Sequence, residues 1–212
     1  MKNLFSMDSP VMKLLRQFTD LMILNLLWLV GCLPVVTIGA STTALYQSII
    51  KMRKGEDGRP WSEFWKYFRS NFKQATVLFL VVAAVIALTV VDILVIVSFL
   101  PNTSIFLKIL ILLPFLLVVP ALGYVFPLQA QFENSVINTL KNAWIMAMIH
   151  FLVSIMVLVL NLIPVVIFLF YPELFIRCVP IWVCLAGSVI AYANMALLDG
   201  VFRQYIPSKE QS

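Results

Sequence analysis

The sequence predicts an all-α, polytopic helical membrane protein that forms a single domain over residues 1–212. Four long apolar segments and a shorter one occupy most of the chain. Each long segment contains at least the roughly 20 helical residues that cross a hydrocarbon core of about 30 Å. The composition agrees, because 62% of the residues are hydrophobic and only 12% are charged, which is far from the usual make-up of a soluble domain.

Five clear spans are predicted, at about residues 18–36, 75–100, 105–126, 145–170 and 178–198. The turn-forming tetrapeptide at 101–104 joins the second span to the third as a hairpin. Seven of the 15 basic residues lie between Lys51 and Lys73. Basic loops face the cytoplasm, so this distribution predicts that the 51–73 segment and the C-terminus are cytoplasmic.

A shorter leg at residues 40–54 is expected between the first and second spans. With five spans alone, Lys2, Lys13 and Arg16 would face outward, against the positive-inside rule. Pro34 and Gly39 interrupt the helix, so the chain can turn back over 40–54 and keep both termini in the cytoplasm. Whether this re-entrant or half-length helix crosses the membrane, re-enters it or lies along it is left open.

The turn at residues 33–46 has two interpretations. A helix N-terminus at membrane depth offers free N–H groups to a polar or anionic ligand, as in many transporters. Alternatively, the segment is a tight interhelical turn whose small residues allow close packing and whose Thr and Ser side chains cap the returning helix. The residues of this ligand site or structural turn are Pro34, Thr37, Gly39, Ser41 and Thr42.

Two amphipathic interfacial helices are predicted, at residues 61–73 and 127–144. On the first, aromatic side chains share one face and basic side chains flank it. Such a helix either lies in the cytoplasmic headgroup layer or docks a soluble partner. Its membrane-interface or partner-docking residues are Trp61, Phe64, Trp65, Lys66, Phe68, Arg69, Phe72 and Lys73.

Isolated polar residues inside the apolar segments are candidates for interhelical contacts. Asp92 and Lys108 lie at similar depths on the predicted hairpin, and either form an ion pair or find separate partners. His150, Asn161 and Asn194 are single polar groups. No catalytic set, metal cluster or cofactor motif is present in the sequence, so we expect neither an enzyme nor a bound metal or cofactor. The basic stretch lacks a nucleic-acid-binding motif, so no nucleic-acid partner is expected.

The segment LPVVTIGASTTALY (33–46), the charged stretch at 51–58 and FWKYFRSNFKQAT (64–76) together resemble the YesL-like family. These are small bacterial integral membrane proteins of unknown function. The motifs lie within about residues 26–80, and the later spans also fit in number and order. The resemblance implies a location in the bacterial cytoplasmic membrane and a setting of carbohydrate uptake by ABC transporters and their sensing systems.

Together, the residues and the resemblance predict a non-enzymatic accessory component of such an uptake system. Its expected partners are the lipid bilayer and ABC-transporter or sensor subunits, and a homo-oligomer is left open. The alternative is a small stand-alone transporter or channel. It would use the helix break from Pro34 to Ser41 and the residues Asp92 and Lys108.

Overall fold

The computed structural model describes residues 10–56 and 58–205, and this part of the chain is helical and without strands. Five segments are long and apolar enough to cross a bilayer: Val11–Cys32, Pro60–Phe99, Ile105–Gln131, Phe151–Phe170 and Val179–Phe202. The all-α polytopic class is therefore confirmed. The helices are α1 (Pro10–Cys32), α2 (Ile38–Arg53), α3 (Pro60–Phe99), α4 (Ile105–Gln131), α5 (Val136–Ile149), α6 (Phe151–Phe170), α7 (Pro172–Arg177), α8 (Val179–Ile181) and α9 (Gly187–Phe202).

Helix α2 occupies the centre of the bundle and covers most of the predicted short leg. A 3-10 turn at Val35–Thr37 follows Pro34 and reverses the chain, so α2 runs back along α1. The helix has 16 residues and is about 24 Å long, shorter than a hydrocarbon core. Its small and apolar side chains are nevertheless buried, with Ala40, Ala44 and Ile49 all at 0% exposure. A polar, short helix is tolerated at this place because other helices surround it.

Helix α3 corrects the predicted boundary between an interfacial helix at 61–73 and a span at 75–100. One continuous helix of 40 residues covers both, since no Gly or Pro interrupts the sequence between Pro60 and Leu100. It packs antiparallel to α2. Lys51 Nζ lies 2.7 Å from Glu63 Oε1 at one end of the pair, and Asn71 Nδ2 donates to Gln47 Oε1 over 2.9 Å further along.

The predicted interfacial helix at 127–144 is also corrected. Helix α4 continues through Gln131, a turn follows, and α5 begins at Val136. The side chain of Ser135 accepts a hydrogen bond from the Asn138 N–H over 3.4 Å and so caps α5. The predicted span at 145–170 is correspondingly divided at His150, which separates α5 from α6.

The last span contains a π-helical turn at Trp182–Ala186 between α8 and α9. The fully buried Asn25 of α1 packs against it. Its Nδ2 donates to the Trp182 and Val183 carbonyls over 3.2 and 2.6 Å, and its Oδ1 accepts from the Ser188 N–H over 2.9 Å. One side chain thus provides partners for three main-chain groups at an irregular point of the helix.

One end of the bundle, here called the charged end, holds the ends of several helices. Lys13 and Arg16 of α1 lie near Lys51 of α2 around a shared pocket, and Arg53 of α2 binds Asp199 of α9. The first and last described helices therefore approach the same end, as a turned-back α2 requires. The termini, residues 1–9 and 206–212, lie outside the described residues.

Candidate functional site

A cavity of about 350 Å³ lies between α1, α2, α6 and the segment from α7 to α9. We call it the membrane cavity. Aromatic side chains form much of its wall, and none of its lining residues is charged at neutral pH. Helix α2 contributes Thr42 and Tyr46, so the second half of the predicted 33–46 segment faces this space. Other lining residues are Trp28, Asn161, Phe175, Trp182 and Ala186.

Hydrogen bonds fix the polar groups around the membrane cavity. Trp28 Nε1 donates to Thr42 Oγ1 over 3.2 Å. The fully buried Asn194 donates through Nδ2 to Tyr46 Oη over 3.1 Å and to Asn161 Oδ1 over 3.3 Å. The structure therefore brings together Asn161 and Asn194, which the sequence placed only on separate helices. Their contact matches the interhelical role expected of isolated intramembrane amides.

Two buried polar atoms near this cavity lack partners within the described residues. These are the indole nitrogen Nε1 of Trp182 and the carboxamide oxygen Oδ1 of Asn194. A buried donor or acceptor without a partner costs free energy, because it has lost its hydrogen bonds to water. A native structure usually supplies such a group with water or a ligand.

The helix break at 33–37 forms a closed turn. Thr37 Oγ1 donates to the carbonyls of Gly31 and Pro34 over 2.7 and 2.6 Å, and Ser41 Oγ donates to the Trp28 carbonyl over 2.8 Å. The expected side-chain cap is absent, because no side chain caps the first N–H groups of α2. Instead, the hydroxyls tie α2 to α1. This geometry favours the structural-turn interpretation for Pro34, Thr37 and Ser41.

Gly39 permits the close approach of α2 to α3. A Cβ built at this position would lie only 2.6 Å from Phe79 Cβ and would overlap the carbonyl oxygen of Ala75. Real Cβ atoms do not approach other atoms so closely, so only glycine fits without a shift of the two helices. The residue therefore has a packing role.

The eight predicted interface residues of α3 divide into two faces. Phe64 is fully buried, and Trp65 and Phe68 pack against the core. In contrast, Trp61 is 62% exposed and Phe72 is 40% exposed. The basic side chains on the outer face are exposed as well, and none forms an ion pair with another described residue. We call Lys66, Arg69 and Lys73 the cationic stripe.

A polar network anchors the helix that bears the cationic stripe. Gln129 of α4 accepts through Oε1 from Gln74 Nε2 over 3.2 Å and from Thr139 Oγ1 over 3.1 Å. Gln74 also donates to the main-chain carbonyl of Asn134. Sequence reasoning missed this network. Its only sign in the sequence is Gln129, a polar residue that follows directly on an apolar segment.

Ion pairs hold α2 to its neighbours at the charged end. The ammonium group of Lys51 donates a hydrogen bond to Glu63, and this contact raises the pKa of Lys51 above its usual value. The guanidinium group of Arg53 donates two hydrogen bonds to Asp199 Oδ2 and lies 4.9 Å from the ring centre of Tyr192. A guanidinium bound to a carboxylate and stacked on an aromatic ring is held more firmly than a lysine would be.

Asp92 and Lys108 are not paired in the structure. Lys108 Nζ donates to the Pro101 carbonyl over 2.8 Å at the turn between α3 and α4. Asp92 is half-buried on α3 and has no hydrogen bond or ion pair with another described residue. His150 lies apart from both, at the α5–α6 junction, and its buried Nε2 has no partner in the described chain.

No three His, Cys, Asp or Glu side chains come together as metal ligands within residues 10–56 and 58–205. Comparison with known families gives one finding. Residues 21–93 match the family described as "Protein of unknown function, DUF624". The matched region contains the 33–46 turn and most of α3, and it confirms the resemblance predicted from these motifs. No curated protein and no solved structure matches the chain.

Proposed function

We propose that this chain is a non-enzymatic accessory component of a bacterial carbohydrate-uptake system in the cytoplasmic membrane. In this proposal the cationic stripe is the docking surface for a subunit of an ABC transporter or of its sensing system. The carbohydrate setting is taken from the family resemblance. The exposed charge of the stripe on a firmly packed helix is the observation that supports docking. The charged end then faces the cytoplasm, as the positive-inside rule requires, together with both termini.

The length of α3 favours a protein partner over the headgroup layer. The apolar part of the helix begins at Ala75, and Lys66 lies nine residues before it, about 13 Å along an upright helix. Trp61 lies about 21 Å from Ala75 along the same helix. The polar layer on each side of a bilayer is only about 5–7 Å thick. The end of the stripe at Lys66 therefore lies beyond the headgroup layer, where a cytoplasmic protein can contact it.

The chemistry of the stripe specifies the partner surface. Lys66, Arg69 and Lys73 lie at intervals of three and four residues, so they form one row on the helix. Trp61 and Phe72 expose apolar rings from the same part of α3. Arginine and aromatic residues are the commonest energetic anchors of protein interfaces. A complementary partner surface presents carboxylates to the three basic side chains and an apolar pocket to the ring of Trp61 or Phe72.

Charge reversal of the stripe tests this proposal. Each of the three basic residues is changed to Glu (K66E, R69E and K73E), and the intact protein is purified from its host membrane in mild detergent. We expect recovery of transporter or sensor subunits to fall at least about tenfold, because like charges repel at such an interface. Quantitative mass spectrometry of the co-purified proteins provides the measurement.

A matched variant separates the effect of the stripe residues from the effect of a change in net charge. Lys54, Arg59 and Lys141 are also exposed, and their change to Glu alters the net charge by the same amount. This control is expected to retain its partners. Equal recovery with both triple variants would contradict the proposal. If the stripe variant keeps its protein partners and instead loses co-purified anionic lipid, the stripe binds the bilayer.

A small stand-alone transporter or channel is the second candidate, and the membrane cavity is the observation that favours it. Asp92 and Lys108, which the sequence analysis placed along the path of such a transporter, do not line the cavity. Solute flux into reconstituted vesicles tests this candidate. Flux that falls when Ala186→Leu narrows the cavity would support it, whereas flux unaffected by that change would exclude the cavity as the path.

A further inference from the structure

We propose that the membrane cavity is a binding site for an uncharged amphipathic molecule that presents a hydroxyl oxygen to Trp182 and Tyr46. The inference rests on the size of the cavity, on its aromatic wall and on the hydrogen-bond donors in that wall. It does not depend on the docking function proposed for the cationic stripe.

The size and wall of the cavity suit a small molecule with an apolar body. A volume of about 350 Å³ lies within the range of ligand pockets, which starts near 300 Å³. The rings of Phe175 and Trp182 stack with their centres 5.3 Å apart and their planes 22° apart, so they form one flat wall. Trp28 and Tyr46 add two further aromatic groups from α1 and α2. An aliphatic chain or ring gains dispersion contacts against such a surface.

The polar groups of the wall specify an oxygen acceptor. The indole N–H of Trp182 is buried and has no acceptor within the described part of the chain. The hydroxyl of Tyr46, a residue only 6% exposed, accepts from Asn194, and no described residue accepts its own proton. A hydroxyl oxygen has two lone pairs and is therefore able to accept from two such donors.

The absence of charged residues from the lining favours an uncharged ligand over an ionic one. A carboxylate or phosphate at membrane depth needs a basic partner to offset its lost hydration, and none lines the cavity. A small hydrated cation would meet the N–H of Trp182 and the O–H of Tyr46, and no carboxylate. A neutral alcohol avoids both costs, while its apolar part replaces the contacts that an empty space of this size lacks.

Heavy-atom quenching of tryptophan fluorescence tests the site in the purified full-length protein. The probe is 10-bromo-1-decanol, compared with 1-bromodecane and 10-bromodecanoate at equal mole fractions in detergent micelles. We expect saturable quenching by the alcohol, with a half-saturation at least about fivefold lower than for either comparison compound, from the added hydrogen bond. Identical quenching curves for the three compounds would overturn the proposal. Saturable quenching by the hydrocarbon alone would show a purely apolar site and would overturn it as well.

Two variants assign the hydrogen bonds. Tyr46→Phe keeps the ring and removes the hydroxyl, and Trp182→Phe removes the indole N–H while Trp28 remains as a reporter. Each is expected to raise the half-saturation of the alcohol at least about threefold without changing that of 1-bromodecane. The midpoint of SDS-induced unfolding shows whether each variant is folded. If both variants fold and bind the alcohol as the unmodified protein does, the proposed contacts are wrong.

A third variant is the matched control. Trp144 lies on the outer surface, is 48% exposed and does not line the cavity. Trp144→Phe removes one tryptophan from the signal and is expected to leave the half-saturation of the alcohol unchanged. A shift equal to that of Trp182→Phe would assign the quenching to the outer surface and overturn the proposal. The stripe variant with K66E, R69E and K73E is expected to bind the alcohol normally, so failure of the docking proposal and failure of this one are distinguishable.

Discussion

The two ends of α3 are held in different ways. At the charged end, side chains of α3 bind neighbouring helices: Glu63 binds Lys51, Asn71 binds Gln47, and Gln74 binds Gln129. At the far end, α3 and α4 form a hairpin whose surface is apolar and exposed, with Val97 at 67%, Phe99 at 79% and Phe106 at 73% exposure. The first end is specified by polar contacts, and the second is left for lipid to cover.

This difference shows which interactions position helices in this protein. Lipid tails are as apolar as leucine side chains, so contact between apolar helices gains little from leaving lipid. Polar contacts and close packing at small residues therefore decide where each helix lies. Both features concentrate around α2, which contacts the membrane cavity on one side and α3 on the other. We accordingly expect substitutions around α2 to have larger effects than substitutions on the outer hairpin.

Loss of the Asn25 side-chain amide is expected to have the largest effect. Asn25→Leu removes three hydrogen bonds and leaves two carbonyls and one N–H at the π-helical turn without this partner. Each buried group that loses its partner costs about 1–3 kcal/mol, and part of the loss is recovered by local adjustment. We expect the free energy of unfolding, measured by SDS titration in mixed micelles, to fall by about 3 kcal/mol.

The neighbouring residue provides the control for Asn25. Leu26 lies on the same helix and is 45% exposed. Leu26→Ala is expected to change the free energy of unfolding by less than about 1 kcal/mol, since lipid replaces the lost contacts. If Leu26→Ala is as destabilising as Asn25→Leu, apolar packing rather than hydrogen bonding positions α1.

A methyl group at Gly39 is expected to have the next largest effect. Gly39→Ala forces α2 away from the Ala75 carbonyl and from Phe79. Overpacking of this kind costs about 1–3 kcal/mol, so we expect the SDS unfolding midpoint to fall. Gly200 lies on α9, and a Cβ added there would have no atom within 4 Å. Gly200→Ala is expected to leave the protein equally stable or to stabilise it by up to about 1 kcal/mol, since alanine favours helix more than glycine. Equal effects of the two changes would show that the α2–α3 contact has room for a methyl group at Gly39.

The sequence predicts the membrane class and the turned-back leg because both follow from length and charge. Span lengths depend on bilayer thickness. The basic residues Lys2, Lys13 and Arg16 require an even number of legs between the two termini, because the C-terminus is also expected in the cytoplasm. The predicted boundaries at 73 and 144 are wrong for a local reason. No helix breaker separates Trp61 from Phe99, and Ser135 marks a helix start inside the segment predicted as one helix. Both signs are present in the sequence.

The cavity and its hydrogen bonds could not be predicted from one sequence. The partners of Asn25 lie at Trp182, Val183 and Ser188, more than 150 positions away, and they depend on a π-helical turn that no motif marks. Likewise, nothing in the sequence of α6 indicates that the side chain of Asn161 contacts Asn194. Such contacts depend on the rotation of each helix about its axis, and a uniformly apolar segment does not specify that rotation.

The smallest expected effect concerns Asp92 and Lys108 on the outer hairpin. Lys108 binds the Pro101 carbonyl, and Asp92 has no partner within the described residues, so the two side chains do not interact. A double-mutant cycle with Asp92→Asn and Lys108→Met measures their interaction directly. We expect a coupling energy within about 0.3–0.5 kcal/mol of zero, whatever each single change does alone.

The Lys51–Glu63 pair at the charged end, tested with Lys51→Met and Glu63→Gln, is expected to give a larger coupling energy. A coupling energy above about 1 kcal/mol between Asp92 and Lys108 would mean that they form an ion pair in the bilayer. The outer hairpin would then be specified by polar contacts as the charged end is, and the contrast between the two ends of α3 would disappear.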